Sequence, residues 1–462
     1  MRLAAALGGR SEPLTQWIED QERGFQTKLT NLAPGVSARS PGVLPALVLV
    51  FVASGVAAAA LARASWILCE WKRRLELRGM RSTCAGNASR ATSSLPGPRR
   101  PVQAYAMNSR QLALFVVLGL LAAGRAMAQG APSAPVVTEQ HSGTTARLQA
   151  VSAVDERVVW VSGVRATWAR TLDGGATWVA DSMRGPDSWL EFRDVHAASA
   201  DRAWLLAAGP GDSSRIYHTE DGGRHWTLQF QNRDTSAFYD GIDFWDERRG
   251  IVVGDAVRGH MVVMTTNDGG TTWAPIPAEG MPPSLPGEGA PAASGTCIVT
   301  RHGGRAWIST EAEPGGRVYS SLDYGRTWRV AKTPIVRGKD SGVASVAMRD
   351  DARGFALGGR LLEPRDTSVA VAVTADGGRT WVAAARPPFT GPVYGSALLR
   401  GQQEALLVAG PGGLALARLS SGPPAWSLLS SDDVWAVDAR GGLAWAVGPH
   451  GRIIRIDLRH QP

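Results

Sequence analysis

From Leu148 onward the apolar positions fall in short runs, and polar turn residues break them at regular intervals. Leu148-Gln-Ala-Val151 and Val158-Val-Trp-Val161 are separated by the turn signal Asp155-Glu156. Similar breaks stand at Asp246-Glu-Arg-Arg-Gly250 and Asp351-Ala-Arg-Gly354. The chain closes with three runs, Val434-Trp-Ala-Val437, Leu443-Ala-Trp-Ala-Val447 and Ile453-Ile-Arg-Ile456. Runs this short, rich in Val, Ile and Trp and bounded by Gly and Asp, predict strands.

Five of the breaks are variants of one another. They read TLDGGATW from Thr171, TEDGGRHW from Thr219, TNDGGTTW from Thr266, SLDYGRTW from Ser321 and TADGGRTW from Thr374. Their aspartates, Asp173, Asp221, Asp268, Asp323 and Asp376, are 48, 47, 55 and 53 residues apart, a period that belongs to repeat architectures. Asp followed by glycine marks a tight turn, in which the carboxylate accepts turn amides and the second glycine takes positive φ. Each stretch is therefore expected to be a hairpin staple whose Trp opens the outgoing strand and packs on a neighbouring sheet.

Seven units follow from this period: 148–180, 189–230, 239–276, 296–330, 343–383, 394–428 and 434–458. The sixth lacks the Asp turn but keeps Trp426, 45 residues after Trp381. The span 129–462 divided by seven is about 48 residues, a four-stranded blade plus loops. The expected fold is all-β, a single seven-bladed β-propeller. Unit seven is one strand short, and Ala134-Pro-Val-Val-Thr-Glu139 is a spare strand, so the N-terminal strand should close the last blade and leave no open edge.

The N-terminal third reads differently. Met107-Asn-Ser-Arg110, the apolar Leu112 to Ala123 and the small-x-small Ala126-Met127-Ala128 are the three parts of a signal peptide, in order. Residues 107–128 are expected to be that leader, and 1–106 an over-extended gene model, disordered around one apolar helix at 43–62. The mature chain would then be periplasmic or extracellular, with no stable membrane span. If 1–106 are translated, the alternative is a membrane-anchored protein.

Charge follows the same division. The chain has 49 Lys+Arg and 41 Asp+Glu; residues 1–128 carry 16 and 6 of them, leaving 33 and 35 for the rest. The repeat region is near neutral, so the high pI is no argument for nucleic-acid binding. Of the three cysteines only Cys297 lies after residue 128, in the apolar stretch Thr296-Cys-Ile-Val299, and it is expected to be a buried small hydrophobe. No disulfide, cofactor or metal is expected, because His218, His225 and His260 lack metal spacing, and a monomer is expected.

The five turns resemble the Asp-box of bacterial neuraminidase repeats. Ser142-Gly-Thr-Thr-Ala-Arg147, Phe238-Tyr-Asp-Gly-Ile-Asp-Phe-Trp245, Pro286-Gly-Glu288 and Ala293-Ser-Gly-Thr-Cys297 resemble secreted bacterial propellers of the photosystem II stability/assembly factor-like family. That resemblance implies a non-enzymatic envelope or secreted binding propeller that recognises a protein or polar ligand at its channel mouth. The alternative is a sialidase-like or xyloglucanase-like glycoside hydrolase acting on extracellular glycans. The arginine-bearing motif of sialidases is missing, and so are HExxH, P-loop and GxSxG patterns, so no residue is designated catalytic. The best polar set lies in unit three and the loop after it: Tyr239 and Asp240 at an inner-strand start, Asp255, Arg258 and His260 in a second-to-third-strand loop, and Glu288 in the insertion 277–294. In a propeller these positions share one face, around the channel mouth, and they are the expected ligand-binding residues.

Overall fold

A computed structural model describes residues 134–400, 404–419 and 424–459. The proposed leader, the segment 1–106 and its apolar run lie outside these residues. Among the described residues no helix is long and apolar enough to cross a membrane.

The fold is a ring of seven four-stranded antiparallel sheets. Blade one is β2 (Leu148–Ala153), β3 (Val159–Gly163), β4 (Thr167–Thr171) and β5 (Val179–Ser182); blade two is β6 (Phe192–Ala197), β7 (Ala203–Ala207), β8 (Arg215–Thr219) and β9 (Thr227–Gln231). Blade three is β10 (Tyr239–Phe244), β11 (Gly250–Val257), β12 (His260–Thr266) and β13 (Ala274–Pro275); blade four is β14 (Ile298–Arg301), β15 (Arg305–Ser309), β16 (Arg317–Ser321) and β17 (Arg329–Lys332). Blade five is β18 (Ser341–Met348), β19 (Gly354–Arg360), β20 (Val371–Thr374) and β21 (Val382–Ala383); blade six is β22 (Gly395–Leu399), β23 (Ala405–Gly410), β24 (Gly413–Arg418) and β25 (Ala425–Ser430). Blade seven is β26 (Ala436–Arg440), β27 (Leu443–Val447), β28 (Arg452–Asp457) and the N-terminal β1 (Val136–His141). Strand β1 runs antiparallel to β28 from Val136 opposite Asp457 to His141 opposite Arg452. The ring closes as the strand count required, with the closing strand two residues later than expected.

The apolar runs form these strands because each blade is sandwiched between two others. Second strands such as β3 and β7 are buried at every position, whereas fourth strands such as β5 are exposed along most of their length. Seven apolar clusters occupy the seven seams, each with nine to fifteen buried residues, so the core is distributed around the ring rather than gathered at one centre. At roughly 1.5–3 kcal/mol per large apolar side chain buried, any one seam outweighs any one turn.

The five Asp turns are the third-to-fourth-strand hairpins. In the first, Asp173 Oδ1 accepts the Thr177 amide at 2.9 Å and the Thr171 hydroxyl at 2.8 Å, while Oδ2 accepts the Thr177 hydroxyl at 2.6 Å. Both glycines, not only the second, sit at positive φ, 74° for Gly174 and 92° for Gly175. The fourth turn has Tyr324 at the first of these positions, with φ 61°. A side chain there is strained, and the Tyr324 ring gains contacts in return, 5.4 Å from Trp245 and 4.1 Å from the Arg249 guanidinium.

A second set of tryptophans ties these turns to the preceding blade. Trp204, Trp307 and Trp445, at matching places in β7, β15 and β27, donate their indole N–H to the carbonyls of Gly269, Gly377 and Gly174 in the next blade's turn, at 3.2, 2.9 and 3.3 Å. Blade three has Ile251 at that place, and there Gly325 O accepts the indole of its own turn, Trp328, at 2.9 Å.

Candidate functional site

Chain direction sorts the loops onto two faces. Inner strands start on one face, where second-to-third-strand loops also lie; the Asp turns lie on the other. A cavity of about 510 Å³ is the channel itself, and it is weighted toward the Asp-turn face through His196, Asp243, Met348, Arg400 and Arg440. Its carboxylates are used for stitching. Asp438 Oδ2 accepts the Ala153 amide at 2.8 Å, Asp243 Oδ2 that of Thr300 at 2.7 Å, and Asp194 Oδ2 that of Ile242 at 2.7 Å. Each bond joins one inner strand to the next. None of the six residues expected to bind ligand lines this cavity.

The opposite mouth is built from the residues that open the inner strands. Four inner strands carry a β-bulge there, shifting register across Leu148/Ala150, Phe192/Asp194, Tyr239/Gly241 and Val343/Ser345. The extra residues are the polar Gln149, Arg193 and Asp240 in blades one, two and three, and the apolar Ala344 at the equivalent place in blade five. A bulge re-aims a side chain, and bulges cluster near sites for that reason. Gln149 is wholly buried with neither amide atom partnered, and Asp240 is 2% exposed with Oδ2 unpartnered.

Asp240 meets the Asp255 carboxyl. Burial, reinforced by the charges of Asp255 and Glu311, pushes Asp240 well above the usual carboxylate range. That favours its protonated form, the form that hydrogen-bonds a neighbouring carboxylate such as Asp255. Burial also lifts Asp255 to about 6, against the amide of Ala290 that its Oδ1 accepts at 3.2 Å. Glu311, just past the end of β15, is lifted to about 7 by burial and by Asp255 and Asp340. The insertion holds this group in place. Gly289 and Glu311 exchange two backbone bonds, at 3.0 and 2.8 Å, and Ala256 N donates to Glu288 O at 3.0 Å.

Across the mouth the chemistry changes. The Arg147 guanidinium lies 5.0 Å over the Trp435 ring, Tyr394 packs on the same ring at 5.3 Å, and Arg193 donates twice to Glu191 Oε2, at 3.1 and 2.9 Å. The rim runs Tyr394, Trp435, Arg147, Arg193, Asp240 and Glu311 through blades six, seven, one, two, three and four: aromatic and cationic on one side, acidic on the other.

Four of the six expected residues lie elsewhere. Tyr239 is 5% exposed in the seam of blades two and three, its hydroxyl 3.4 Å from Met264 Sδ and its ring packed on Phe230. Arg258 is exposed at a hairpin tip with φ 53°, paired with Asp234 at 3.4 Å. His260 Nδ1 is 3.2 Å from Met281 O. The Glu288 side chain is fully buried and ion-paired with Arg317; it accepts the Arg317 Nε–H at 2.9 Å, the Thr310 hydroxyl at 2.7 Å and the Leu285 amide at 2.8 Å. It fastens the insertion to blade four. Asp240 and Asp255 do come together. Arg193, Arg147 and Trp435 were missed, although a signal was present: residues immediately before or inside an inner strand; Glu311, after the second strand of blade four, carried no such signal.

Cys297 is wholly buried, a free thiol whose pKa burial pushes up. It lies against Gly241, where an added Cβ would come within 2.6 Å of its Sγ.

No family model matches the chain, and no curated protein does. Solved structures do. YCF48 from Cyanidioschyzon merolae aligns at 13% identity over 70% of this chain and 98% of that one, with a TM-score of 0.51. YCF48 bound to D1 peptide aligns at 17% identity over 71% and 99%, TM-score 0.45. The GH74 enzyme of Niastella koreensis aligns at 13% identity over 70% of this chain and 54% of that one, TM-score 0.49. The chain resembles YCF48 in fold, and at such identities the likeness reaches no further than fold.

Proposed function

We propose that this chain is a non-enzymatic binding propeller, an assembly-factor-like protein of the cell envelope or its exterior. It recognises a protein partner at the mouth opposite the Asp turns. The observation that carries this reading is the rim itself: three of the four bulged inner strands bring a polar residue to one opening, and Asp240 and Gln149 hold unpartnered polar atoms there. Stability alone gives no reason to bury such atoms.

The carboxyl geometry supports binding over hydrolysis. Two-carboxylate glycoside hydrolysis needs carboxyls about 5–10 Å apart across the scissile bond. Asp240 and Asp255 lie within hydrogen-bonding reach of each other, which leaves no room for a sugar between them. The mature chain proposed here begins at Gln129, after the leader at 107–128.

A photo-crosslinking amino acid at Trp435, with a control at the exposed Leu322 on the other face, tests the reading. The expected product is a polypeptide adduct from the Trp435 position only. Adducts from Leu322 alone would move the site to the other face. Polysaccharide cleavage that is lost in Asp255→Asn would replace binding by hydrolysis.

A further inference from the structure

Resting on that reading, we infer that the acidic side of the mouth, formed by Asp240, Asp255 and Glu311, receives an arginine side chain of the protein partner. The three carboxyls come from β10, β11 and the loop after β15, so they converge on one side of the opening from two adjacent blades rather than line one strand. Asp255 and Glu311 are half-buried and reachable from solvent, and Asp240 lies beneath them, 2% exposed with Oδ2 unpartnered.

The charges facing this group are few. Asp340 before β18 adds a fourth carboxylate beside Glu311. Arg193 on β6 is the cation nearest Asp240, but its guanidinium is bonded to Glu191. Cys297 beneath is a neutral thiol, and the insertion contributes only the Ala290 amide. The acids therefore lack a cation of their own.

A long-stemmed side chain suits a floor recessed below a rim. Among the described residues no group of three His, Cys, Asp or Glu has the arrangement to hold a metal ion. Arginine fits better than lysine, because its planar fork bonds several carboxylates at once and it stays charged in a buried site. Its entry would ionise carboxyls that otherwise hold protons, so binding would release protons and strengthen as pH rises from about 5 to about 8.

The test uses the propeller chain and a labelled pentapeptide with one central arginine, beside its citrulline twin. Titration calorimetry in two buffers of different ionisation enthalpy reads affinity and proton release together. The arginine peptide should bind about tenfold tighter than citrulline at about pH 8, release protons on binding at about pH 6, and lose most of that preference at about pH 5. Asp255→Asn with Glu311→Gln should abolish the preference while the chain still melts cooperatively. Equal binding of the two peptides, or an unchanged preference in that variant, overturns the inference. So does calcium chloride alone binding at the same carboxyls. A glutamate-centred peptide that binds and is lost in Arg147→Ala would overturn it and leave the mouth reading standing. Failure of every peptide, together with no crosslink at Trp435, would remove both.

Discussion

The five turn aspartates and the second-strand tryptophans divide one job unequally. Asp376 accepts the Thr380 amide at 2.9 Å and its hydroxyl at 2.6 Å, but these groups are exposed, and water can replace the carboxylate. Trp307 is 1% exposed, and its indole N–H reaches Gly377 O at 2.9 Å, so its loss leaves both a void and an unpaired carbonyl in a seam. Asp376→Ala should therefore cost about 1 kcal/mol, the usual figure for a capping carboxylate. Trp307→Phe should cost about 2–4 kcal/mol, within the range for large-to-small core changes. Denaturant melts of the two variants decide this, and an aspartate variant weaker than the tryptophan variant would reverse the assignment.

At the element scale the decisive strand is β1. Its six residues pair along the whole of β28, and Gln140 Oε1 accepts the Trp178 indole at 3.1 Å, so one strand ties blade seven to the first Asp turn. Removal of residues 134–141 should lower Tm by roughly 5 °C or more and promote aggregation, because β28 becomes an open edge. A scanning melt with size-exclusion chromatography reads both effects; an unchanged Tm and a monomeric peak would show that the seam tryptophans close the ring unaided. This strand was legible in the sequence, since a unit one strand short and a spare apolar run admit one closure. The blade boundaries were legible for a similar reason: the repeat period and the burial of second strands on both faces imprint themselves on each local window. The mouth was not, because its geometry is a sum over blades. Glu288 looked free in its loop; what draws it inward is Arg317, 29 residues away on β16. Asp240 and Asp255 were found because they share one hairpin, while Glu311 joins them only through the ring's curvature.

For the whole molecule, the two faces respond to pH with opposite sign. Asp173, Asp376 and Asp457 are held at about 2 by the hydrogen bonds they accept, below the unfolded value of about 4. Their contribution is complete above that value and disappears as pH falls toward about 2. At the mouth Asp255 is lifted to about 6 and Glu311 to about 7, chiefly by burial. A raised carboxyl means that the folded chain holds more protons than the unfolded one, so stability falls as pH rises through about 4 to 7. The unliganded chain should thus be most stable in mild acid. Asp255→Asn isolates the mouth's share, because an asparagine oxygen still accepts the Ala290 amide and the Asp240 proton while the charge is gone. The variant should melt at the parent's temperature near pH 4 and a few degrees above it near pH 8. A thermal-melt series across that range measures the difference directly. A variant that melts below its parent at every pH would mean that the Asp255 charge supports the fold. The expected result would mean that the fold tolerates a charge it would be more stable without, which is the mark of a group kept for what it binds.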